Sequence, residues 1–156
     1  MAVRFQEDEA RAMGRQARGV RAMNLAEGDH VVGVEIVDEE ALILTISENG
    51  FGKRTKVTEY RRTARGAKGV TLIKTTPKIG KVMNVLSVKD DTELMIITQN
   101  GKIIRIEAGE IRQAGRSTQG VRLVKMEEGD RVAAACVIPE AKVLEEAEDQ
   151  GDLPLQ

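Results

Sequence analysis

The chain has 156 residues, 41% of them hydrophobic, with two Phe, one Tyr and no Trp, so it is the size of one domain with an aliphatic core. No apolar run approaches the ~20 residues of a membrane helix, MAVRFQEDEA lacks a signal-peptide core, and the single Cys136 excludes an internal disulfide and a cysteine metal cluster; a cytoplasmic protein is expected. The net charge of −1 is unevenly spread: residues 140–156 hold six acids and one base, which leaves 23 bases and 19 acids in residues 1–139.

Taken in chain order, the elements recur. The stretch from Val3, VRFQEDEARAMGRQARGVRAMNLAEGDHV, matches IRIEAGEIRQAGRSTQGVRLVKMEEGDRV from Ile104 at a shift of 101. Arg4 falls on Arg105, Glu9 on Glu110, Gly14-Arg15 on Gly115-Arg116, Gly19-Val20-Arg21 on Gly120-Val121-Arg122, and Gly28-Asp29 on Gly129-Asp130. A third copy lies between them, with Gly69-Val70 placed 50 residues after Gly19-Val20 and 51 before Gly120-Val121. Each unit reads as a basic glycine loop, Gly-Val, an apolar segment, a Gly-centred turn, a strand, a second strand, Asn-Gly, and a strand rich in cations. Both ALILTISENGFGKRTKVTEY and ELMIITQNGKIIRIEAGEI show an apolar run, Asn-Gly and then alternation, the pattern of a β-hairpin. About four strands per unit, repeating near fifty residues, predicts propeller-like blades; a β-solenoid or a sandwich with a duplicated half fits the same pattern. Residues 1–139 hold about three blades, the first incomplete at its N-terminus, and 140–156 read as an acidic, disordered tail.

The cations follow the repeat. One set lies between the last strand and Gly-Val: Arg15 and Arg18; Arg61, Arg62, Arg65 and Lys68; Arg112 and Arg116. A second set projects from the strand after Asn-Gly: Lys53, Arg54 and Lys56; Lys102 and Arg105. Arg21, Lys74 and Arg122 follow Gly-Val. Between Lys53 and Lys68 there are seven cations against one acid, Glu59. A polyanion feels local charge within a Debye length of ~8–10 Å, so the whole-chain pI is a poor guide. Gly66 and Gly69 would let backbone N–H groups approach phosphate. The loops offer no recognition helix and few aromatics, which points to sequence-independent duplex binding rather than base readout or single-strand stacking. A propeller-like module holding an acidic protein is the alternative.

The rest carries no catalytic constellation. His30, replaced by Arg131 in the third copy, reads as a surface residue, Cys136 in AAACVI as a buried small hydrophobe, and Tyr60 as strand-end packing. Asp90-Asp91 and Glu127-Glu128 read as solvated turns. No metal site and no cofactor are expected in this chain.

The segments VRFQEDEARAMGRQARGVR, ISENGFGKRTKVTEYR, RGAKGVTLIK and RSTQGVRL together resemble the C-terminal domain of bacterial DNA gyrase A; topoisomerase IV has a sibling domain. The resemblance covers residues 3–138 and implies an all-β β-pinwheel, with propeller-like blades that exchange strands and a basic rim that wraps DNA. It further implies an ATP-dependent type II DNA topoisomerase that introduces negative supercoils, with the remainder of gyrase A and the whole of gyrase B as partners. ATP and Mg belong to other parts of that enzyme, and the cleaving tyrosine lies in a different domain. The family's heptapeptide Gln-Arg-Arg-Gly-Gly-Arg/Lys-Gly, needed for wrapping, is absent; residues Arg62 to Gly69 form a degenerate relative in a later blade. The chain thus corresponds to the C-terminal half of the domain, an incomplete ring.

Overall fold

Two hairpins organise the molecule. In the computed structural model, which describes residues 1–139, β1 (Leu42–Ser47) pairs antiparallel with β2 (Phe51–Lys56). After β3 (Val82–Val88), β4 (Glu93–Thr98) pairs antiparallel with β5 (Ile103–Glu107). Both turns fall at the Asn-Gly pairs. Only the glycines take positive φ, 79° at Gly50 and 85° at Gly101. Their amides donate to Ser47 O and Thr98 O at 3.0 Å. This is the three-residue hairpin loop with a left-handed glycine at its end.

Neither hairpin completes a sheet by itself. β3 runs along the far side of β1, with Thr45 opposite Val85. β6 (Val121–Arg122) pairs with β2, with Gly52 opposite Val121. The first sheet therefore has the order β3-β1-β2-β6, and β7 (Val132–Val137) joins the second as β5-β4-β7. Strands lent by later units fill the edges, as expected for exchanged blades, and the described residues form no closed ring.

Between the sheets lies an aliphatic core. Leu44 and Ile46 of β1 meet Leu94 and Ile96 of β4, with Val88, Val124, Val132 and Ala135 around them. Burying each such side chain contributes roughly 1.5–3 kcal/mol. A second cluster, Ala41, Ile43, Val57, Tyr60 and Leu72, covers the other face of β1.

The first copy departs from the expected pattern. Residues 31–37 hold no strand, and Val34 and Ile36 are exposed. The equivalent β3 and β7 pair with strands 40 and 39 residues upstream, as in Thr45↔Val85 and Ile96↔Ala135. No residue of this chain stands at that separation from Val34, so the segment lacks the ladder that would make it a strand. The acidic segment 140–156 lies outside the described residues.

Candidate nucleic-acid interface

The basic loops are built as joints between units. After β2, a single 3-10 turn (Val57–Glu59) leads into residues 61–69, and after β5 a matching turn (Ala108–Glu110) leads into 112–120. The second loop lies along β2: Arg54 N donates to Arg112 O at 3.2 Å, and Ala114 N donates to Arg54 O at 2.9 Å. The first loop lies likewise on the N-terminal strand remnant, where Thr63 N donates to Arg4 O at 2.8 Å. Backbone at the joint is tight. A Cβ on Gly120 would run into Gly52 O and one on Gly69 into Ala2 O, and both glycines hold positive φ.

Most of the expected cations face solvent. Arg15, Arg18, Arg21, Lys56, Arg61, Arg62, Lys68, Lys74, Lys102, Arg105, Arg112 and Arg122 are exposed. Some are already engaged: Arg62 with Glu39 at 3.3 Å, Arg105 with Glu93, and Arg122 5.5 Å over the Phe51 ring. Lys78, absent from the sequence-based set, sits at the same distance from that ring. Arg65 and Arg116 are half-buried. Arg65 Nη1 donates to Arg21 O at 2.6 Å, and Arg116 Nη1 donates to Thr71 O at 3.1 Å.

Two expected contacts are corrected. Lys53 is fully buried, and its Nζ donates to Gly115 O at 2.5 Å and Arg116 O at 2.6 Å. Burial, ahead of any neighbouring charge, lowers its pKa to about 8; Glu59 opposes the shift and Arg116 adds to it. Arg54 is also buried, donating to Ile111 O at 2.7 Å and Gly109 O at 3.1 Å and pairing with Asp90. The physical reason is that both faces of β2 are covered, one by the loop of the next unit and one by the core. Its alternate side chains, Lys53 and Arg54, then have no wet side to reach. Gly66 is corrected as well: its N–H donates to Ala22 O at 2.8 Å. Gly69 serves the close approach to Ala2.

The Arg54 bond set recurs at Arg4, 50 residues earlier. Arg4 Nη1 donates to Val57 O and Tyr60 O at 3.2 Å, and Arg4 pairs with Glu39, as Arg54 does with Asp90. Asp90 is therefore an anchor rather than merely a solvated turn residue. The sequence carries a signal for this role: Arg4 and Arg54 recur at the same period as the acids Glu39 and Asp90. Tyr60 is buried in the second cluster, and burial raises its hydroxyl pKa. His30 is exposed. Cys136 is exposed too, against expectation, because β7 buries only Val132 and Ala135. Asp130 caps the β4–β5 turn by accepting from Asn100 N at 3.1 Å and Arg131 N at 2.8 Å. The Thr98 hydroxyl, ahead of those amides, holds its pKa below the usual carboxylate value.

Among the described residues no cluster of His, Cys, Asp and Glu could hold a metal ion, and no helix is long and apolar enough to cross a membrane.

Known proteins repeat this arrangement. The family model described as DNA gyrase C-terminal domain, beta-propeller, matches residues 1–38, 41–89 and 92–138. DNA gyrase A of Chlamydia trachomatis serovar D is 44% identical over 135 residues, covering 86% of this chain and 16% of the relative. That of Staphylococcus aureus strain NCTC 8325 is 41% identical over 150 residues, covering 95% of this chain and 16% of the relative. A solved DNA gyrase A C-terminal domain superposes with a TM-score of 0.81 at 30% identity, covering 86% of this chain and 46% of that one. The C-terminal domain of a DNA topoisomerase IV gives 0.79 at 27% identity, covering 86% and 42%. By the match along nearly all its described length, this chain belongs to the DNA gyrase C-terminal domain family.

Proposed function

We propose that the chain binds duplex DNA without base specificity and bends it along the basic loops, as part of a gyrase that introduces negative supercoils. The observation that carries this reading is the repetition of one exposed cation loop, held in the same way on successive units: Arg61, Arg62 and Lys68 in one, Arg112 in the next. Arg15 and Arg18 belong to the first copy of that loop, and Arg21, Lys74 and Arg122 follow the Gly-Val of each. Lys56, Lys102 and Arg105 add charge on the hairpin side. Arginine forks suit phosphate oxygens.

Bending 20–30 base pairs by 40–90° costs on the order of 1–6 kcal/mol, and counterion release offsets it. Six phosphate contacts imply a slope of log K against log salt near −5, at about −0.9 per contact. The module is a non-catalytic part of the enzyme. The remainder of gyrase A and the whole of gyrase B are its partners, in the cytoplasm, and they supply cleavage and ATP hydrolysis.

The test has two arms. Titration of duplex DNA across a salt series should give the steep slope. Plasmid relaxed in the presence of the protein and then stripped of it should retain positive writhe if the chain wraps. Binding without writhe leaves a DNA-adhesive module, and absence of binding at low salt sinks the proposal.

A further inference from the structure

Each basic loop is tied to the unit before it by a carboxylate. Glu59, the last residue of the turn after β2, accepts from Arg116 N at 3.4 Å. Glu9, in the matching N-terminal turn Glu7–Glu9, accepts from Arg65 N at 2.9 Å. Glu9 and Glu59 are 50 residues apart, Arg65 and Arg116 are 51 apart, and both arginines stand four residues before the glycine of Gly-Val. This is one contact made twice. The guanidinium groups repeat it: their carbonyl partners, Arg21 O and Thr71 O, are also 50 residues apart.

The first copy supplies a comparison within the same chain. Arg15 is the equivalent of Arg65 and Arg116, but no residue of this chain stands 56 positions before it. Arg15 is fully exposed, as are its neighbours in residues 10–18, whereas Arg65 and Arg116 are half-buried.

A carboxylate beside a phosphate-facing loop repels the ligand. Its recurrence at both described joints therefore calls for a compensating role. We infer that Glu9 and Glu59 are positioning residues for duplex binding: each fixes the backbone of the next unit's basic loop through one amide, so that its exposed cations meet the phosphate path in one arrangement. The loop's cations supply attraction, and the carboxylate supplies geometry. This inference rests on the DNA-binding reading above.

The test compares two double variants of the full chain with equal charge. Glu9→Gln with Glu59→Gln keeps an acceptor oxygen at both sites; Glu9→Ala with Glu59→Ala removes it. Affinity for a 30-base-pair duplex is measured at one low salt concentration. Amide exchange is followed at Arg65 and Arg116, with β1 and β4 as internal controls. The Gln pair should bind at least as tightly as the parent, because repulsion is gone. The Ala pair should bind roughly fivefold or more weakly than the Gln pair, the scale of a lost hydrogen bond, with faster exchange at the two arginine amides and unchanged β1 and β4. Equal affinity of the two pairs, including an equal gain over the parent, overturns the inference while leaving the DNA reading intact. A parent chain that does not bind the duplex overturns both.

Discussion

Lys53 shows how misleading a cation can be when read from its type alone. Its ammonium is inside the protein, clamped to two carbonyls of the next unit's loop. Its pKa lies at about 8 when folded, against 10.5 for the free side chain, mainly through desolvation. Between those values the unfolded chain binds more protons than the folded one, so stability should rise as pH climbs through that window. The gain is at most roughly 3 kcal/mol. Urea denaturation from pH 7 to 10.5, referenced to Lys53→Met, should show it; a constant difference between the two proteins would mean that the ammonium keeps its hydration. Arg54 gives a second expectation. Arg54→Met removes a buried cation with two carbonyl partners and should cost about 3 kcal/mol. Asp90→Asn touches only the exposed partner and should cost under about 1 kcal/mol. Denaturant midpoints check the ordering.

At the scale of elements, the hairpins were legible because Asn-Gly flanked by apolar runs encodes its own turn. The sheet edges were not. Residues 31–37, 82–88 and 132–137 share one pattern, yet only the latter two are strands, because a strand here depends on a partner about 40 residues away. The same distance effect hid the burial of Lys53 and Arg54. Local alternation says which face a side chain takes, while the cover on that face comes from the next unit. The recurrence of the basic loops was legible, since period needs no knowledge of contacts. The β2–β6 joint offers a direct check. Gly120 needs positive φ and has Gly52 O where a Cβ would sit, whereas Gly129 has positive φ and open space. Gly129→Ala should cost about 1 kcal/mol from backbone strain alone. Gly120→Ala should cost clearly more and speed amide exchange along β2 and β6. Equal thermal shifts for the two variants would argue against the packed joint.

Across the whole molecule, stability is concentrated between the two sheets. Ile96 is 0% exposed in that core and Ile36 is 87% exposed. Ile96→Ala should cost about 2–5 kcal/mol, and Ile36→Ser should change stability by no more than about 0.5 kcal/mol. Chemical denaturation of both variants tests whether the first copy contributes to the folded unit. The basic loops lie outside that core but are bolted to it through β2, so their geometry inherits its rigidity.

The pairing of β2 with β6 also sets an order in time. Gly52 meets Val121 only after 69 further residues have been made. At the ~5–20 residues per second of translation, that is a wait of roughly 3–14 s. Throughout it the β1–β2 hairpin leaves the ribosome with one edge bare. The same wait applies at every repeat, since each hairpin is closed by a later one. A protein of this kind is finished from its first unit to its last, and interruption of synthesis always strands an open edge at the newest hairpin.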